Sequence, residues 1–225
     1  MNTKADIRQM MEDVRKAHRL VYQFQDRMIQ LINRIANDYG LNHPVGRKRF
    51  SNPIGSVRRG DDYPAANLRV HDKWAWDMLY TYEFEYYFGK VSRNGMNGCL
   101  TIFQVSDNGY YLADGHHLEL GAKTHLYKRA VNDFWPADKS DSYLVFAFES
   151  FPEQGHRLFL KHPKNSIVRL YGGHDDVIIE KKGDNTLVSK RFHIEEFFSR
   201  ESVGELLEEF SRLVFSNTQF LLIER

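Results

Sequence analysis

The chain has 225 residues, 42% hydrophobic and 14% aromatic, enough to bury one substantial core. Its 31 basic and 30 acidic residues leave a net charge of +1, so nothing pulls the whole molecule toward nucleic acid or an anionic membrane, and any such affinity must come from a local patch. Cys99 is the only cysteine, which excludes an internal disulfide framework and a cysteine-based zinc cluster. No run of about 18 uncharged apolar residues exists to span a bilayer, so a cytoplasmic protein without membrane contact is expected.

Residues 1–39 carry the most regular pattern. Ile7, Met10, Val14, Ala17, Val21, Phe24, Met28, Leu31 and Ile35 follow one another by alternating steps of three and four, the a/d seam of a heptad repeat. Arg8, Gln9, Glu12, Arg15, Lys16, Arg19, Gln23, Asp26, Gln30 and Asn33 occupy the other positions, so one stripe is dry and the rest is wet. Thr3 with Asp6 has capping-box spacing at the start, and Gly40 marks the stop. At ~1.5 Å per residue such a helix spans ~50 Å, longer than a domain of this size is wide. Two uses fit: a core helix lying across a sheet, or a seam for another helix, in a homodimer or against the C-terminal helix. Val14, Val21, Phe24, Met28 and Leu31 are the interface candidates, and Met11, Leu20 and Ile32 widen the stripe.

Residues 40–72 contain prolines and glycines without usable periodicity and are expected to form a long loop. Arg47, Lys48, Arg49, Arg58 and Arg59 lie close together there, with Phe50 available to stack, a combination that can grip a phosphate backbone or a single strand.

Residues 73–225 form the body of a single domain. Trp74, Trp76, Met78, Tyr80, Tyr82, Phe84, Tyr86 and Phe88 take every second position, which predicts a strand with this face on the core and the face of Asp77, Thr81, Glu83 and Glu85 largely toward water. Hairpins are expected next, from Ser92–Gly98 into Cys99–Val105 and from Asp107-Asn108-Gly109 into a strand at Tyr110–Ala113. Cys99 then serves as a small apolar filler. Tyr143–Phe148 reads as a buried strand, followed by short strands at Arg157–Leu160, Ile167–Tyr171, Val177–Glu180 and Thr186–Lys190. Ser202 and Glu205 have capping-box spacing for a helix whose apolar face is Val203, Leu206, Leu207, Phe210, Leu213 and Val214, the natural partner of the first helix. Phe220–Ile223 is expected to close the chain as a strand. The order predicts an α+β fold, a long N-terminal amphipathic helix and a C-terminal helix packed on a mainly antiparallel sheet.

Few groupings carry chemistry. Glu180 and Lys182 end an apolar run two residues apart and share a face, which resembles the metal-binding strand of PD-(D/E)XK nucleases. With Asp176 they would make a metal-dependent nuclease or phosphodiesterase. His116, His117 and Glu119 follow Asp114-Gly115 and offer donors to a transition metal, although HEXXH is absent. His117-Leu118-Glu119 also matches the HxE of zinc deaminases, whose cysteine pair is missing. No nucleophile elbow, phosphate-binding glycine loop or other cofactor motif occurs, so no cofactor is expected. The sequence therefore points first to an intracellular, non-enzymatic interaction protein that engages another macromolecule, most simply a protein, through the first helix and the basic loop. A metal-dependent nuclease at Glu180 and Lys182, and a non-catalytic nucleic-acid-binding protein using the basic loop, are the alternatives.

Overall fold

The structure is a computed structural model that describes residues 4–48, 68–69, 82–93, 95–119, 131–159, 168–171 and 175–223. Helix α1 (Lys4–Asp38) opens the chain and leads into β1 (Val45–Lys48) and β2 (Leu68–Arg69). Strands β3 (Glu83–Arg93) and β4 (Met96–Val105), helix α2 (Gly109–Glu119), strand β5 (Tyr143–Pro152) and the single turn α3 (Val168–Tyr171) follow. The hairpin β6 (Val177–Lys182) and β7 (Asn185–His193) precedes α4 (Arg200–Thr218). The strands make one antiparallel sheet in the order β2-β1-β3-β4-β5-β7-β6, so the fold is α+β with helices packed on an antiparallel sheet.

The long helix stops where the sequence says it should. Gly40 takes φ 62°, and Leu41 N donates to Ala36 O at 2.8 Å, the six-to-one bond of a Schellman cap. Thr3, half of the expected start signal, lies outside the described residues. Along the second half of α1, Met28, Ile29, Ile32, Ile35, Ala36 and Tyr39 are buried against one face of the sheet. This face follows the 3.6-residue period of a straight helix on a sheet rather than the 3.5-residue seam. Ile32 is consequently fully buried, whereas Leu31 sits at the margin. Helix α4 lies on the same face, and Tyr39 donates its hydroxyl to Leu207 O at 2.9 Å, joining the two helices inside the core.

That core is built from alternate residues of each strand: Phe84, Tyr86 and Phe88 on β3, Leu100 and Ile102 on β4, Leu144, Phe146 and Phe148 on β5, Val188 and Phe192 on β7. Phe146 meets Phe192 and Phe210 edge-on, with centroids 5.2 and 5.3 Å apart. Gly98 leaves room for this packing, since a Cβ there would stand 2.3 Å from the Phe148 ring.

The opposite face departs from expectation. Glu83 and Glu85, placed toward water by the sequence, are buried, because α2, α3 and a second cluster of Phe103, Val105, Tyr143, Val145, Leu170, Tyr171, Ile178 and Leu187 cover that side. Helices therefore lie on both faces of the sheet. Tyr110–Ala113 is helical, not a strand: Asp107 Oδ1 accepts from Gly109 N at 2.7 Å and Asn108 O accepts from Leu112 N at 3.0 Å, so Asp-Asn-Gly starts a helix instead of turning a hairpin.

Other boundaries also move. The β3–β4 turn is tighter than expected, with Gly95 at φ 75°, so β4 begins at Met96. Residues 157–159 form no strand, and Val168–Tyr171 is one helical turn. Ser199, not Ser202, caps α4, with Ser202 N donating to Ser199 Oγ at 3.0 Å. Phe220–Ile223 is not a strand either. Its Phe220 and Leu222 are buried, and Arg93 Nη1 donates to Leu222 O at 2.9 Å to hold the tail in place. Residues 40–72 are not wholly loop, because Val45–Lys48 and Leu68–Arg69 pair with each other and β1 pairs with β3. Trp74–Thr81 of the predicted aromatic strand lie outside the described residues.

Candidate functional site

The feature that most needs a functional account is the first half of α1. Every residue from Asp6 to Val21 is exposed, a length of ~24 Å of helix at ~1.5 Å per residue. Ile7, Met10, Met11, Val14, Leu20 and Val21 are all exposed, Leu20 at 68% and Met10 at 52%. Single exposed apolar side chains are ordinary, but six on one helical arm make a continuous stripe. The arm is extended from a helix already nucleated on the body, which removes the largest obstacle to helix formation in water. Exposed pairs one turn apart add to it: Lys16 Nζ to Glu12 Oε1 at 2.7 Å, and Gln9 Nε2 to Asp13 Oδ1 at 3.1 Å.

The arm leaves the body at a polar clasp. Gln25 is buried, and its Oε1 accepts from Gln104 Nε2 at 3.2 Å, while Gln104 Oε1 accepts from Tyr86 Oη at 2.7 Å. Because these amides lie in the core, their bonding fixes the angle at which the helix departs. Of the expected interface residues, Val14 and Val21 lie on the exposed arm, Phe24 and Leu31 are half-buried against the core, and Met28 is inside it.

The second grouping of polar side chains is the covered face of the sheet. Glu83 accepts from the hydroxyls of Tyr111 and Tyr171, the latter at 3.1 Å. Glu85 Oε2 accepts from Arg47 Nε at 2.8 Å. Glu149 is fully buried, where its Oε1 accepts from Phe159 N at 3.0 Å and from Asn185 Nδ2 at 3.3 Å, and Arg157 Nε lies 3.8 Å from its Oε2. These carboxylates tie β3 to the neighbouring strand β1 and to α2 and α3, and β5 to residues 157–159 and Asn185, which is a structural use of buried charge. Between them, in one register row, stand Thr101 and Ser189, fully buried with hydroxyls that find no hydrogen-bond partner among the described residues. Cys99 on this face is a buried free thiol, 3.6 Å from Tyr87 Oη. Burial pushes its pKa up, against the nearby Arg157 that pulls it down.

The remaining sequence candidates are scattered. Arg47 and Lys48 sit on β1, with Arg47 bound to Glu85, whereas Arg49, Phe50, Arg58 and Arg59 lie outside the described residues. Glu180 and Lys182 share a face of the edge strand β6, as their spacing requires, but Asp176 is ion-paired to Arg191. His116, His117 and Glu119 are on α2 rather than on a strand, and the exposed His116 packs edge-on to Trp135 at 5.7 Å. Among the described residues no three His, Cys, Asp or Glu side chains come together as a set of metal ligands, and no helix there is long and apolar enough to cross a membrane.

The spacing of Ile7, Met10, Val14, Ala17 and Val21 marked the helix and its apolar face, but not which part of it stands clear of the body. The buried carboxylates left no such signal, because Glu83 and Glu85 alternate with aromatics as they would on a solvated face. No curated protein matches the sequence, and no solved structure matches it. A family model described by the name PM0109 matches residues 4–219, and the chain belongs to the PM0109 family.

Proposed function

We propose that this is a non-enzymatic interaction protein that binds another protein through the exposed arm of α1. One observation carries the reading: an amphipathic helix runs clear of the body for residues 6–21 and keeps a wet face and an apolar face along that whole length. An apolar helical stripe in water is what helix-in-groove and helix-on-helix recognition use. The buried carboxylates, by contrast, are engaged by Arg47, Arg157, Tyr111, Tyr171 and backbone amides, which suits holding a fold together.

The test is capture from a native lysate, with and without nuclease treatment, by the tagged full chain and by its Val14→Glu/Leu20→Glu variant. Both substituted side chains are exposed, so the variant keeps its fold. Retention of a protein by the wild type and its loss in the variant is expected. A captured set identical for both proteins, or one that disappears on nuclease treatment, would contradict the reading and return weight to the basic segment.

A further inference from the structure

We propose that the arm binds a second copy of this chain, with two arms paired antiparallel over residues 7–24; this rests on the reading of the arm as a protein-binding surface. The first argument is directional. Ile7, Met10, Val14, Ala17 and Val21 continue the same helix face that Met28, Ile32, Ile35 and Tyr39 lay on the sheet. Whatever covers the stripe must therefore lie on the side of α1 where its own body lies, just past the edge of that body. Two arms placed parallel, stripe to stripe, would drive residues 25–39 of each helix into the other's sheet. Antiparallel arms avoid this, since the second helix runs away from the first body and carries its own body to the far end.

The second argument is packing. In an antiparallel pair, a positions meet d positions, and a two-fold axis between residues 15 and 16 sets Ile7 on Phe24, Met10 on Val21 and Val14 on Ala17, each layer occurring twice. Every layer then joins a larger side chain to a smaller one or two of middle size. The parallel alternative stacks Ala17 on Ala17 and, two layers on, Phe24 on Phe24, so the smallest side chains face each other and so do the largest. Phe24 is half-buried in its own core, so only its uncovered edge is available, which suits one Ile7 better than a second Phe24.

The third argument is charge. The same register brings Asp6 beside the exposed Arg27 of the other copy, while Arg8, Glu12, Arg15, Lys16 and Arg19 all stay on the outside. Leu20 flanks the seam and extends the apolar contact past Asp13, whose carboxylate is already held by Gln9 and lies 3.8 Å from Lys16 Nζ.

Sedimentation of the full chain and directed disulfides test this together. The wild type should approach twice the 26.5 kDa of the chain as concentration rises to about 100 µM, a range that reports micromolar affinity. Val14→Glu should stay monomeric and melt as the dilute, monomeric wild type does. Differently tagged Met10→Cys and Val21→Cys chains, with the buried Cys99 retained, should form a mixed disulfide when oxidised, and Met10→Cys alone should not bond to itself. A monomer throughout the range, or a Met10→Cys chain that dimerises with itself as a parallel pair would, overturns the proposal. Either failure leaves the protein-binding reading standing if lysate capture still depends on Val14 and Leu20; capture independent of both sinks that reading as well.

Discussion

At the scale of single residues, the sheet face opposite α1 is where chemistry and stability meet. Arg47 answers Glu85, whose side chain is only 1% exposed, so Arg47→Ala would remove a charged hydrogen-bond donor from a buried carboxylate and should cost about 1–3 kcal/mol in chemical denaturation. Thr101 is the opposite case. Its buried hydroxyl has no hydrogen-bond partner among the described residues, and Thr101→Val should leave stability unchanged or raise it by up to about 1 kcal/mol. The tyrosines add a pH dependence. Burial pushes the pKa values of Tyr39, Tyr86 and Tyr111 above the ordinary 10, with the Glu83 carboxylate adding to the effect on Tyr111. Folded tyrosines thus hold their protons more tightly than unfolded ones, so their contribution is complete below pH about 10 and declines as pH rises beyond it. The last part of the tyrosinate absorbance, from these three, should appear together with loss of helical circular dichroism; full ionisation of all the tyrosines while the fold persists would contradict their burial. None of this was legible in the sequence, because a glutamate alternating with aromatics reads the same whether water or α2 covers it.

At the scale of elements, α1 is two helices in one. Its C-terminal half is core and residues 6–21 are exposed, and substitutions should divide accordingly. Ile32→Ala removes a fully buried side chain and should cost about 2–5 kcal/mol, whereas Val14→Ala should fall within about 0.5 kcal/mol of wild type in dilute protein. Equal effects at the two positions would mean that the arm packs on its own body. The helix itself, its stop at Gly40, the β6–β7 hairpin and the pairing of α1 with α4 were all readable, since each follows from periodicity or from a turn residue. What was not readable is where the body ends beneath the helix. The 3-4 pattern continues through Phe24 without a break, and only the depth of the sheet decides that Met28 is buried while Val14 is not. Asp107-Asn108-Gly109 misled for a related reason, because the same side chains that turn a hairpin also start a helix.

At the scale of the whole molecule, a three-layer body presents one projecting helix whose apolar face points past the edge of its own sheet. The layers packed on both faces of the sheet give the arm a firm base, and the Gln25, Gln104 and Tyr86 clasp sets its direction. The fold and the arm's position thus follow from the same helix, which anchors through one half and offers the other. The most direct test is amide hydrogen exchange along α1 in dilute and in concentrated full-length protein. The account predicts slow exchange over residues 25–39 at every concentration, with residues 6–21 exchanging quickly when dilute and becoming protected as copies associate. Residues 6–21 as slow as 25–39 in dilute protein, or fast at all concentrations, would contradict it.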